Sequence, residues 1–315
     1  MYKRQLLLST IYAPLAVALF AALDALPGPQ PLAYGLSFLM AEGAALALLW
    51  AYGSRRELRL GLWGLALCPL LILVSYNGLH FDAWLIPLLI GWVLLLRAQR
   101  PGLALLLLLI AAALRHWPAL LLPISLMNLP TWRGRIGGAL VSIAALLLAL
   151  APQLWHYSSA HSGLRIYGQV WEMNDALFPL LAAGIGQSAA RALALGVPAL
   201  LALGLGLSSL RRDPALAGLL IVGTLLLLSP TFFPWYWLWL LPFILLARSP
   251  LTIVGAALAA VLPLYYLRFL LADLGQAPWF DTHLIWLEFG PIFALILLAG
   301  LAHVRRVRRP DHSGA

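Results

Sequence analysis

Four short stretches carry the side chains from which chemistry could be built. In NGLHFDAW, Asn77, His80 and Asp82 crowd the end of an apolar run, and in QVWEMNDALF, Trp171, Glu172, Asn174 and Asp175 stand together. Carboxylates accept hydrogen bonds from hydroxyls or take their protons, amides fix orientation, and aromatic faces stack on sugars. In LRHWP, Arg115 interrupts an apolar region, where a guanidinium is costly unless it is paired or faces a cavity. A fixed cation there suits the phosphate of a lipid. In SPTFFPWYWLWLLPF, prolines 230, 234 and 242 bracket a run of aromatics, so that Trp235 and Tyr236 can form a platform for a polyprenyl chain or a sugar face. Plainer uses remain open. Asp82 or Asp175 can cap a helix, Trp171 can sit in an interfacial belt, and Arg115 can snorkel to the membrane surface. His156 and His161 lack an adjacent carboxylate, so no metal site is expected from them.

The elements that position these residues follow from composition. With 63% hydrophobic and 10% charged residues and a mean hydropathy of +0.93, the chain is expected to be an integral membrane protein. Crossing a bilayer takes roughly 20 apolar residues, so an all-α, polytopic bundle of about nine or ten membrane segments is expected. The apolar runs are continuous and rich in Leu and Ala, which excludes a membrane barrel. A single cysteine, Cys68, leaves no disulfide framework. The net charge of +9 does not mark a nucleic-acid partner, because the arginines fall in small groups between apolar segments.

Sidedness comes from those groups. Arg55, Arg56, Arg59, Arg97, Arg100, Arg133, Arg135, Arg211, Arg212, Arg248 and the cluster from Arg305 to Arg309 occupy alternate loops, which the positive-inside rule makes cytoplasmic. The opposite loops carry Asp82, Glu172, Asp175, Asp273, Asp281 and Glu288. The first apolar stretch, 6–27, is expected to cross. The stretch 102–128 has arginines at both ends and must leave where it entered, so it is expected to be a re-entrant hairpin of short helices with Arg115, His116 and Trp117 at its tip. Residues 6–303 read as one transmembrane domain and 304–315 as a basic tail.

Taken in order, IYAPLA, CPLLILVSYNGLHFDA, LRHWPALLLP, VWEMNDALF and SPTFFPWYW resemble the bacterial members of the GT-C superfamily of polyprenyl-phosphate-sugar glycosyltransferases, the mannosyltransferase-like proteins in particular. The resemblance covers roughly residues 11–245. This chain departs from the family pattern at Cys68, where Asn is usual, at Arg115, where Lys is usual, and at Phe233, where His is common. The resemblance implies a GT-C-like fold and inverting transfer of a hexose, mannose foremost, from a polyprenyl-phosphate donor to a glycan or glycolipid acceptor. The reaction would take place on the outer face of a bacterial inner membrane, with membrane lipid around it and no cofactor. It also implies that Arg115 meets the donor phosphate, Asn77, His80 and Asp82 the substrate, Glu172 and Asn174 the acceptor, and Trp235 and Tyr236 the cavity wall. A lipid-linked substrate carrier or flippase is the alternative, although no internal repeat of the kind common in carriers is visible.

The N-terminus carries a separate expectation. MYKRQ back-translates to GTG TAT AAG AGA CAG, the mosaic end of a common sequencing transposon, so residues 1–5 are expected to be an adapter scar. GT-C proteins place another helix and an acidic outer loop, the source of the catalytic base, ahead of the IYAPLA-like segment. The reading frame is therefore expected to be truncated, with Asp82, Glu172 or Asp175 as the base if it is not.

Overall fold

The computed structural model describes residues 9–276, 279, 283 and 285–307. Residues 1–5, Asp281 and the tail beyond residue 307 lie outside the described residues. Within these, the chain is all-helical and without strands, apart from one isolated parallel bridge between Met173 and Thr231. A few residues set the punctuation. Proline opens helices at Pro14, Pro69, Pro101 and Pro214, where a missing N–H is not needed. Ser54, Thr131 and Ser162 cap others, and Asp213 the Pro214 helix, by accepting from a first-turn N–H. Gly186, at φ +83, separates Phe178–Ile185 from Gln187–Leu207 in a conformation that a Cβ would strain.

Among the described residues, four helices are long and apolar enough to cross a membrane: Gln30–Tyr52, Trp132–Trp155, Gln187–Leu207 and Leu251–Asp273. Arg55–Ala66 and Pro69–Asn77, bent by 45°, make a fifth if they act as one. The bend has a cause in the sequence. Pro69 cannot continue the hydrogen-bond ladder and holds Cys68 extended, while π turns at Leu62–Ala66 and Leu73–Asn77 widen the backbone on either side. By length and composition this count is lower than the nine or ten crossings expected. Continuous apolar sequence is not continuous helix here, because prolines and 3₁₀ turns such as Trp117–Leu121 and Pro234–Tyr236 divide it into helices of 10–17 residues.

Among the described residues of the stretch 6–27, those from Ser9 on, no helix is long enough to cross. They yield Pro14–Asp24, 11 residues or about 16 Å. Both flanks of this helix stay at one end of the bundle. Tyr12 and Phe20 each pack a ring on Phe81, at 5.2 and 5.3 Å, and Asp24 accepts from the Tyr34 hydroxyl. Pro101–Leu114 and the Trp117–Met127 segment do form a hairpin with Arg115 and His116 at the turn. Leu105 in the first arm and Leu126 in the second both lie against Gly138, so the second arm returns beside the first.

The alternate loops collect at two ends. At one, Glu57, Arg97, Arg212, Asp213, Leu246 and Arg248 line a single cleft, and Asn128 donates to the Arg211 carbonyl. At the other, Tyr12, Phe81, Tyr236 and Trp239 converge on Arg115. Residues 9–12 belong to this second end, tied there by the Ser9 N–H bonded to the His161 carbonyl and by Gln153 donating to the Tyr12 carbonyl. Counting cytoplasmic loops from Lys3 and Arg4 would have put them at the arginine end. In a Cys68→Ser background, cysteine at the exposed Glu172 is expected to react with an impermeant thiol reagent from one face of the membrane only. Cysteine at the exposed Arg56 or Arg212 should react only from the opposite face. Labelling of all three from one face would break the two-ended arrangement.

Candidate functional site

Asp82 and Arg115 meet at the centre of the second end. Asp82 stands on the 3₁₀ turn Phe81–Trp84 that leads into Leu85–Arg97, and Arg115 is at the extended break of the hairpin. Arg115 Nε lies 3.3 Å from Asp82 Oδ1, with side-chain exposures of 12% and 1%. The same oxygen accepts from the Trp239 indole at 2.7 Å. The guanidinium lies 5.2–5.9 Å from the ring centroids of Phe81, Tyr236, Trp239 and Tyr12. A desolvated cation gains from ring faces at such distances. Arg115 therefore turns into the bundle and does not snorkel out of it. Asp82 is enclosed in the bundle and engaged by the arginine and the indole.

Aromatic stacking extends from this pair. His80 stacks on Trp235 at 3.7 Å, Trp235 on Phe233 at 4.5 Å, and Tyr236 on Trp239 at 4.0 Å. Burial, reinforced by the Arg115 charge, pushes the His80 imidazole down to about 4, so at neutral pH it stacks uncharged. The Tyr167 hydroxyl joins those of Tyr236 and Thr231, each at 2.6 Å.

Arg115, His116, Trp117, Tyr167, Tyr236 and Trp239 form the polar and aromatic wall of a cavity of ≈ 430 Å³ whose remaining lining is largely aliphatic. A second cavity of ≈ 390 Å³ shares His116, Leu164, Tyr167, Leu195, Leu225 and Ser229 with it, so the two form one cleft. Leu195 and Leu154 on its rim are exposed on the outside of the bundle. The cleft thus runs from Arg115 to an apolar outer surface.

Arg191 marks the far part of this cleft. It bonds Glu172 at 3.0 Å, reaches the carbonyls of Trp171 and Gly168, and lies over the Phe178 ring. Beyond it, Asn174, held at φ +52, donates to the Phe232 carbonyl and to Glu288 Oε1 at 3.0 and 3.1 Å. Glu172, Asn174, Asp175 and Arg268 are among the residues lining a separate cleft of ≈ 290 Å³.

The structure therefore brings His80, Asp82, Arg115, Trp235 and Tyr236 together and sets Glu172, Asn174 and Asp175 in a second group. Asn77 ends the π turn Leu73–Asn77 with its side chain exposed and joins neither group. Sequence reasoning missed Tyr12, Gln153, Tyr167, Arg191 and Trp239. Arg191 had a usable signal, since it interrupts an apolar segment as Arg115 does. Gln153 had a weaker one as an amide in an apolar helix. The tyrosines had none, because aromatic residues are ordinary at membrane interfaces. Among the described residues, no group of three or more His, Cys, Asp or Glu side chains is placed to hold a metal ion. Compared with known proteins, the chain matches no family model, no curated protein and no solved structure.

Proposed function

We propose that this chain is a membrane glycosyltransferase of the GT-C kind, moving a hexose, mannose in our reading, from a polyprenyl-phosphate donor to a glycan or glycolipid acceptor. Its place would be a bacterial inner membrane, with the site on the outer face. One observation chiefly supports this reading. A buried arginine lines a mostly apolar cleft that reaches the outside of the bundle, as a lipid carrying a phosphate would require. In this reading Leu85–Arg97, Pro214–Leu228, Pro234–Leu246 and Ile285–Val307 also traverse the membrane and bring the crossings to nine. The hairpin is then re-entrant.

The acceptor hydroxyl oxygen attacks the anomeric carbon as the bond from that carbon to the phosphate oxygen breaks. The phosphate leaves with the electron pair beside Arg115, and a carboxylate takes the hydroxyl proton. Asp82, committed to Arg115, and Glu172, committed to Arg191, are not assigned as that base. The polyprenyl-phosphate sugar is a substrate, and no cofactor is invoked.

The test uses the chain in nanodiscs with labelled polyprenyl-phosphate mannose. Donor binding is expected, and Leu195→Trp, which fills the shared part of the cleft, should weaken it by roughly ten-fold, equivalent to about 1.4 kcal/mol. In sealed vesicles, movement of labelled donor between leaflets without transfer would favour the carrier reading. Failure of the chain to bind the donor would sink both.

A further inference from the structure

The arginine end holds a feature that the proposed function does not use. Arg97, from the end of Leu85–Arg97, Arg212, before Pro214–Leu228, and Arg248, after Trp237–Leu246, line one cleft of ≈ 360 Å³ with Glu57, Asp213 and the Leu246 backbone. Three guanidinium groups come from loops far apart in sequence, so the fold has brought like charges together. Both carboxylates in the cleft are already engaged. Glu57 bonds Arg97 at 2.8 Å, and Asp213 caps its helix by accepting from the Leu216 N–H. Arg97 is held further by donating to the Leu246 carbonyl at 2.7 Å. Arg212 and Arg248 are exposed and take part in none of the ion pairs among the described residues.

A cleft with one anchored and two uncommitted guanidinium groups matches a tetrahedral oxyanion, since each fork presents paired N–H donors. It also lies at the end of the bundle that the positive-inside rule sets against the cytoplasmic leaflet, where anionic headgroups concentrate. We propose that the Arg97–Arg212–Arg248 cleft is a binding site for a phosphate ester anion, presented by the headgroup of an anionic phospholipid. Arg212 and Arg248 clasp the phosphate oxygens, and Arg97, fixed by Glu57, forms the floor. Binding joins the 207–214 and 246–251 connections and so clamps the inner ends of Pro214–Leu228 and Trp237–Leu246, the second of which carries Trp239 and follows Tyr236 at its other end. The site is independent of the glycosyltransferase reading.

The test is a titration of the purified full chain in detergent, followed by thermal unfolding, with phosphatidylglycerol, with phosphatidylcholine and with inorganic phosphate. Phosphatidylglycerol is expected to raise Tm saturably and phosphatidylcholine is not. In Arg212→Gln/Arg248→Gln the titration midpoint should move up by roughly ten-fold for each guanidinium lost. Arg55→Gln/Arg56→Gln removes the same charge from exposed positions outside the cleft and should leave the midpoint in place. An equal saturable shift with inorganic phosphate, to which phosphatidylglycerol adds nothing, would support the site and name a free phosphate as its source. No saturable shift with either anion would overturn the proposal, and so would equal midpoint changes in the two double variants.

Discussion

Arg115→Ala is expected to abolish binding of a polyprenyl-phosphate donor and to lower stability by about 3–5 kcal/mol, because the buried Asp82 would be left without its cation. Two effects are folded into that result, and further variants separate them. Arg115→Lys keeps the charge but loses the planar fork and its stacking among four rings, so partial donor binding should survive. Asp82→Asn/Arg115→Met removes both charges, should recover much of the lost stability, and should still fail to bind donor. Denaturant unfolding and donor titration on the same preparations read the two quantities independently. Alanine variants that bound donor as the parent does would remove Arg115 from the site and leave it a structural partner of Asp82.

Gly218→Ala should produce a large packing defect. A Cβ at Gly218 would lie 2.3 Å from the Phe243 ring, and Phe243 is fully buried, so the ring has nowhere to swing. Overpacking of this kind costs about 1–3 kcal/mol. Gly223, on the same helix, has no atom within 4 Å of such a Cβ. Gly223→Ala should therefore be neutral or stabilising by up to about 1 kcal/mol through helix propensity. Comparing Tm for the two variants tests whether Pro214–Leu228 packs against Trp237–Leu246 in this register. That register also sets where Tyr236 and Trp239 stand.

Much of the architecture was legible along the chain because hydropathy and charge are local sums. The apolar segments imply helices in a membrane, arginines in alternate loops imply two ends, and arginines on both sides of 102–128 imply a segment that turns back. The tip residue Arg115 could be singled out for the same reason, since a charge in an apolar run is visible without knowing its neighbours. Helix count was less legible. Pro69, Pro118 and Pro234 break runs that hydropathy averages over, and the described part of the stretch 6–27 holds one short helix at the site end.

The sequence by itself determined the helical, membrane-suited class of this protein, the placing of the arginines of alternate loops towards one end and the standing of Arg115 at a hairpin tip. Each of these follows from residue type and spacing. Only the tertiary structure decided that Arg115 takes Asp82 as its partner, that Trp239 completes the pair, and that Glu172 and Asn174 turn instead to Arg191 and Glu288. The reason is physical. In an apolar interior a charged group must find a partner, but which partner depends on the helices that lie alongside, and aliphatic faces of Leu and Ala carry little information about that choice. Neighbours were selected by close packing at Gly138 and Gly218 and by breaks at proline, and the polar contacts followed from those neighbours.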